Sequence, residues 1–275
     1  MITRRIYPTR YGQLHVRSHE GKGVPLLLLH PSPRSGEMWE ALQERLTRPT
    51  LAPDRLGYGF SDAPPWALSL EQYAQCSSDA LGAAGIQGSF DVLGVHVGSL
   101  EAIEIAHAHA HRVRRVLAVG MPLFTAEEQQ RQMEKYSEQP LRPAVEGGHV
   151  LGAWRGSFAF RQPPYDLADA HRRFVEHLLA ANPGAALKAA GSYPIDKRLK
   201  AMRAPLTVLA PPRRYSLADR ARQADVETGR GVCRPSRCGS GSFLRGSGPH
   251  GRSRQQVPAR MRVGGFDLQS TRVGG

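Results

Sequence analysis

The sequence predicts an α/β fold, a mostly parallel sheet flanked by helices, with a block of helices inserted late in the chain. Three observations predict it. Short apolar runs bounded by turn residues recur at Pro25–His30, Phe90–Leu93, Val113–Gly120 and Pro205–Ala210, as strands buried on both faces do. Stretches with the apolar spacing of helices, 37–47, 68–86 and 97–112, separate the first three runs. From 125 to about 202 the pattern is helical in four pieces, 125–137, 144–158, 166–182 and 184–202, interrupted at Pro140, Pro143, Pro163-Pro164 and Pro194.

Taken in order, residues 2–9 and 13–20 read as two strands of a hairpin around Arg10-Tyr11-Gly12. The Pro25–His30 strand runs into His30-Pro31-Ser32-Pro33-Arg34-Ser35-Gly36, a turn-rich loop, and a helix over 37–47 follows. A short strand at 50–54 leads to Asp54-Arg55-Leu56-Gly57-Tyr58-Gly59-Phe60-Ser61-Asp62, whose glycines supply turn conformations. Within 68–86, Leu70, Tyr73, Ala74, Leu81 and Ala84 share one helical face. The next stretch organises the chain. Phe90, Val92 and Leu93 form a strand that passes through Gly94-Val95-His96-Val97-Gly98 into a helix with apolar Leu100, Ile103, Ile105 and Ala106. Glu101 and Glu104 lie in the first turns of that helix, where its dipole favours anions. Glycines two positions either side of His96 permit a tight strand-to-helix turn that holds the central side chain above the sheet edge.

Charge is unevenly placed. The 275 residues carry a net +13, but residues 1–210 hold 24 Lys and Arg against 20 Asp and Glu, while 211–275 hold 13 Arg, no Lys and 4 acids. The body is therefore a mildly basic domain. From about Val226 apolar periodicity gives way to Gly, Arg and Ser, and no run there suits a buried strand. Such a tail is either a disordered basic extension or a reading-frame change in a GC-rich gene, and the pattern favours the second. No stretch suits a membrane span, and three cysteines give no disulfide framework, so a cytoplasmic setting is expected. His107 and His111 stand at i, i+4, and Cys233 and Cys238 form one pair. Neither set reaches the three or four ligands of a metal site, and no metal or cofactor is expected.

The turn at 94–98 and the Asp54–Asp62 loop resemble the α/β-hydrolase superfamily, whose elbow reads Gly-x-Ser-x-Gly; here His96 stands where the nucleophile is expected. Together with the altered His-x-x-Pro-Arg-Ser loop, this pattern is similar to a bacterial subgroup with Gly-x-His-x-Gly at the elbow. The resemblance implies a core over 1–122, a helical cap over 123–203, an incomplete second core part over 204–225 and a basic tail over 226–275. It assigns the oxyanion-hole N–H groups to Ser32 and Val97, with Gly94 and Gly98 as the elbow glycines. Pro31 replaces the usual Gly, which alters that loop. Asp54 is expected to be structural. His30, Arg34, His149 and Trp154 are the candidate pocket residues. The acid and base that the superfamily places after its late strands have Asp219 and His250 as their nearest counterparts, without the strand that normally precedes each.

Three functions compete at this point. In the first, His96 acts as base or nucleophile, kept neutral by the positive helix end, on a small ester- or amide-like substrate. In the second, the fold binds a small ligand without turnover. In the third, the Arg-rich tail binds a polyanion. The tail offers only Phe243 and Phe266 for stacking and the body has no basic excess, so a nucleic-acid partner is disfavoured.

Overall fold

The computed structural model describes residues 1–135, 141–158 and 163–209, together with the backbone of 260–263 and 266–269. A seven-stranded sheet forms the centre, built from β1 (Ile2–Thr9), β2 (Gly12–His19), β3 (Leu26–Leu29), β4 (Thr50–Pro53), β5 (Phe90–Val95), β6 (Val113–Val119) and β7 (Leu206–Leu209). The strand order is β1-β2-β4-β3-β5-β6-β7. The β1–β2 and β2–β4 pairs are antiparallel, and every pair from β4 through β3, β5 and β6 to β7 is parallel. This is the α/β-hydrolase fold. Its parallel strands end on one edge, so the segments following β3, β4, β5 and β6 gather there, where sites form in such sheets.

Four leucines, 26 to 29, make β3 a strand buried on both faces. The helix α2 (Leu70–Ala83) starts at a capping box in which Ser69 and Gln72 satisfy each other's backbone N–H groups. It buries Leu70, Tyr73, Ala74 and Leu81 against the sheet. The helix α3 (Val97–Ala108) is sunk so deeply that Glu101 and Glu104 are buried with its apolar residues. Their positions are explained by pairing, not by the helix dipole: Glu101 meets Arg55, and Glu104 meets Tyr193 and Arg198.

The expected helix over 37–47 is shorter. A 3-10 turn, Gly36–Trp39, passes into a single α turn, α1 (Glu40–Gln43). The reason lies in Gln43, whose buried amide donates to Arg17 O and Thr50 Oγ and ties the segment to the sheet. Between β6 and β7 the chain forms α4 (Ala126–Lys135), α5 (Gly148–Gly156), α6 (Leu167–Leu179), α7 (Ala185–Gly191) and α8 (Ile195–Ala201). Trp154 and Phe174 pack edge to face and join α5 to α6.

Beyond Val226, where no run suits a buried strand, the backbone is described at one place. The strands β8 (Arg260–Val263) and β9 (Phe266–Gln269) pair antiparallel as a separate two-stranded sheet, with Met261 opposite Leu268 and Val263 opposite Phe266. The intervening residues are Gly264 and Gly265, a hairpin signal that composition had masked. Asp219, Cys233, Cys238, Phe243 and His250 lie outside the described residues.

Candidate active site

The turn from β5 into α3 is built around strain. His96 has φ 54° and ψ −119°, and among the described residues it alone is a non-glycine with positive φ. A backbone of this kind costs on the order of 1–3 kcal/mol and persists only where its surroundings enforce it. They do so from three directions. His96 N–H donates to Val119 O at the end of β6 (2.9 Å), and its carbonyl accepts from Ser99 N–H. A Cβ on Gly94 would lie 2.1 Å from the Gly98 carbonyl oxygen, so the two arms of the turn touch backbone to backbone. A Cβ on Gly98 would lie 2.5 Å from the Leu29 carbonyl oxygen, which brings the start of α3 against the end of β3. His96 itself remains partly exposed at the sheet edge.

A Cβ on Gly98 would also lie 2.8 Å from the His30 carbonyl oxygen, so the start of α3 adjoins the strand end that leads into the Ser32 loop. Val97 N–H belongs to the first turn of α3, where amides have no partner within the helix. On the other side, Pro31 O closes a turn by accepting from Arg34 N–H at 3.0 Å. Ser32 Oγ donates to Pro183 O at 2.6 Å and lies 3.2 Å from the Tyr58 hydroxyl. Tyr58 in turn accepts from Ala186 N–H at 3.0 Å, and Ala181 N–H donates to Gly57 O at 2.9 Å. The segment from α6 to α7 is thus fastened to both loops that follow β3 and β4.

The four expected pocket residues fare differently. His30 is 1% exposed, and both ring nitrogens are committed within the core. Arg55 N–H is an unambiguous donor to Nε2 at 2.9 Å, so Nδ1 carries the proton and donates to Pro31 O. Burial first, and the Arg55 guanidinium second, lower its pKa to about 3. It is a neutral strut under the loop. Arg34 pairs through Nε with Glu176 on α6. His149 accepts from Ala144 N–H at 3.1 Å, closing the turn that starts α5. Trp154 packs against Phe158 and Phe174, inside the helical insertion. His107 Nε2 lies 3.1 Å from the Arg198 guanidinium, and no group of three potential metal ligands occurs among the described residues.

Residues outside the expected pocket hold the site together. Asp54 is fully buried and accepts from Arg17 (2.8 Å), Gly36 N–H (2.7 Å), Phe60 N–H (3.0 Å) and His15 (2.9 Å). Burial pushes its carboxyl up, but His15, Arg17 and the Phe60 amide outweigh that and hold it below the usual range. A Cβ on Gly59 would meet the Asp54 carboxylate at 2.3 Å, which explains that glycine. Beneath the elbow, Glu101 accepts from Arg55 Nη2 (2.7 Å) and Nε (3.0 Å) and from Ser77 Oγ (2.6 Å), while Arg55 also donates to His30 O. Arginines 17 and 55 carried no special signal, because only the tertiary fold brings their partners near.

A family described as alpha/beta hydrolase fold matches residues 24–150. A 2-hydroxymuconate semialdehyde hydrolase from Pseudomonas putida is 33% identical over 109 residues, 37% of this chain and 37% of that protein. The chain thus aligns with little more than a third of the length of the curated relatives it matches. Among solved structures, a bromoperoxidase from Bacillus anthracis superposes with a TM-score of 0.69 at 14% identity, covering 84% of this chain and 91% of that one. The enol-lactonase from Burkholderia xenovorans LB400 gives 0.65 at 18% identity, covering 81% and 88%. No helix among the described residues is long and apolar enough to cross a membrane. The sequence match over 24–150, together with the sheet order and the strained turn at its centre, gives this chain the α/β-hydrolase fold.

Proposed function

We propose that the protein hydrolyses a small ester- or amide-like substrate, with His96 in the place of the superfamily's serine and α4–α8 serving as a cap over it. The observation that supports this reading most is the strained backbone of His96. Three sets of contacts maintain a conformation that a β5–α3 connection does not otherwise require. The curated relatives are named as hydrolases, which supports the same class of reaction over the residues they share.

In this reading the lone pair of an imidazole nitrogen adds to the substrate carbonyl carbon. The carbonyl oxygen, now anionic, accepts from Ser32 N–H and Val97 N–H. Collapse of the adduct breaks the bond to the leaving group, which departs as an anion and takes up the proton that the other ring nitrogen gives up, leaving an acyl-imidazole. Water then adds to the acyl carbon, returns the imidazole and releases the carboxylic acid. Imidazole is itself a good leaving group, so the adduct goes forward only when the substrate's leaving group is a weak base. Aryl and enol esters meet that condition, as do amides whose nitrogen is activated to the same degree; simple alkyl esters and ordinary amides do not.

The test is a series of acetate esters with aryl and alkyl leaving groups, assayed with wild type and His96→Ala. Turnover that follows leaving-group acidity and disappears with His96 supports the proposal. Equal background rates in both proteins overturn it. Thermal stabilisation by the esters without turnover would instead favour a ligand-binding protein.

A further inference from the structure

The loop that carries Ser32 is held from two sides. From the sheet side, Asp54 accepts from Gly36 N–H. From the helical insertion, Glu176 on α6 accepts from Ser35 N–H at 2.9 Å and from Ser35 Oγ at 2.7 Å with one oxygen, and pairs with Arg34 Nε through the other. Glu176 is 3% exposed, yet α6 is otherwise a half-solvated helix with Leu167, Val175 and Leu179 at its surface. The stability of that helix alone gives no reason to bury a carboxylate there. Taking the carboxylate out of water is unfavourable unless all its partners are present, and every partner lies within three residues of Ser32. The segment's ties at Ala181, Pro183 and Ala186 run through its backbone atoms. Glu176 is therefore the place where a side chain makes the loop's geometry depend on α6.

From these contacts we infer that Glu176 is a positioning residue for the hydrolytic site: it couples the docking of α6 to the conformation of residues 32–35, and through them orients the Ser32 N–H toward the acyl oxygen. The catalytic consequence rests on the hydrolase reading above; the coupling between α6 and the loop does not. Loss of the carboxylate frees the Arg34 guanidinium and two Ser35 donors at once, and the loop then samples conformations in which the Ser32 amide is turned away. Substrate still binds, since no group of Glu176 is needed to contact it. The barrier to the adduct rises.

Two readouts on the full-length protein test this. Hydrogen–deuterium exchange of the peptide spanning 31–37 is compared in wild type, Glu176→Gln and Glu176→Ala, and kcat and KM for an aryl acetate are measured on the same samples. Exchange in 31–37 is expected to rise in Glu176→Ala, with Glu176→Gln intermediate because its amide oxygen still accepts from Ser35. A fall in kcat of about tenfold or more at a nearly unchanged KM is expected to follow the same order. Ser35→Ala, which removes one of the three donors, gives a milder change in the same direction. Folded variants with wild-type exchange over 31–37 would overturn the coupling. Raised exchange with unchanged kcat would overturn the positioning role alone. If wild type turns over no better than His96→Ala, the hydrolase reading is what fails, and the exchange data still decide the coupling.

Discussion

Two arginine–glutamate pairs flank the elbow, and they are built differently. Arg55 and Glu101 lie beneath it, both almost wholly inside the sheet-and-helix core, with two hydrogen bonds between them and a third from Ser77. Arg34 and Glu176 lie beside it and join a loop of the core to a helix of the insertion; the Arg34 side chain keeps 15% of its surface in solvent. The first pair connects elements that are already packed, so its charges serve the scaffold. The second connects a loop of the core to a helix of the insertion, so its charges serve their relative placement. Breaking the first should therefore appear as lost stability, and breaking the second as lost function.

The largest expected effect is on the inner pair. Arg55→Met strands the Glu101 carboxylate in the core and is expected to lower unfolding free energy by about 3–5 kcal/mol. Urea denaturation measures this directly. Arg55→Met combined with Glu101→Leu should lose less than the single change, because no uncompensated charge remains. A double variant less stable than Arg55→Met would mean that packing, not charge, dominates there.

His30 sharpens the comparison through pH. Its folded-state pKa of about 3 lies below the ordinary imidazole value of ~6.5, so folding favours the neutral ring. Its contribution is complete above the unfolded value and is lost as pH falls from about 6.5 toward 3, to a total on the order of 5 kcal/mol. Urea midpoints at neutral and mildly acidic pH should diverge in wild type, and the divergence should shrink in His30→Asn. An identical slope in both proteins would assign the acid sensitivity elsewhere.

The smallest effect on stability belongs to the outer pair. Burial raises the Glu176 carboxyl pKa above its ordinary range, and Arg34 and Ser35 offset this only in part. A carboxyl raised on folding makes the folded state weaker as pH climbs through that range, so the charge is a burden at neutral pH. Glu176→Gln is expected to melt at or slightly above the wild-type temperature at neutral pH. A clear drop in Tm would place Glu176 with the scaffold, as Glu101 is.

The same contrast explains what the sequence made legible. The strands and the elbow are local facts: apolar runs such as Leu26–Leu29 and glycines spaced around His96 read directly as buried strand and tight turn. The helix breaks at the expected prolines are local too, and α7 and α8 part at Pro194. Glu176 and Arg55 are not legible, because nothing in their neighbours distinguishes a buried partner from a solvated one. The partners of His30 are hidden for the same reason. That the Arg55 amide lies against its ring is a fact of the tertiary fold. The 37–47 helix was overestimated because the buried amide of Gln43 pins the chain to the sheet, an interaction that periodicity does not encode.

The central claim is that an imidazole carries the acyl group at this elbow, and rapid acid quenching during turnover of an aryl acetate, followed by peptide mass analysis, tests it most directly. A transient acetyl group is expected on the peptide containing His96, absent in His96→Ala, whose kcat/KM falls on the order of a hundredfold or more. Turnover in His96→Ala at the wild-type rate, or acetylation confined to another residue, would contradict it.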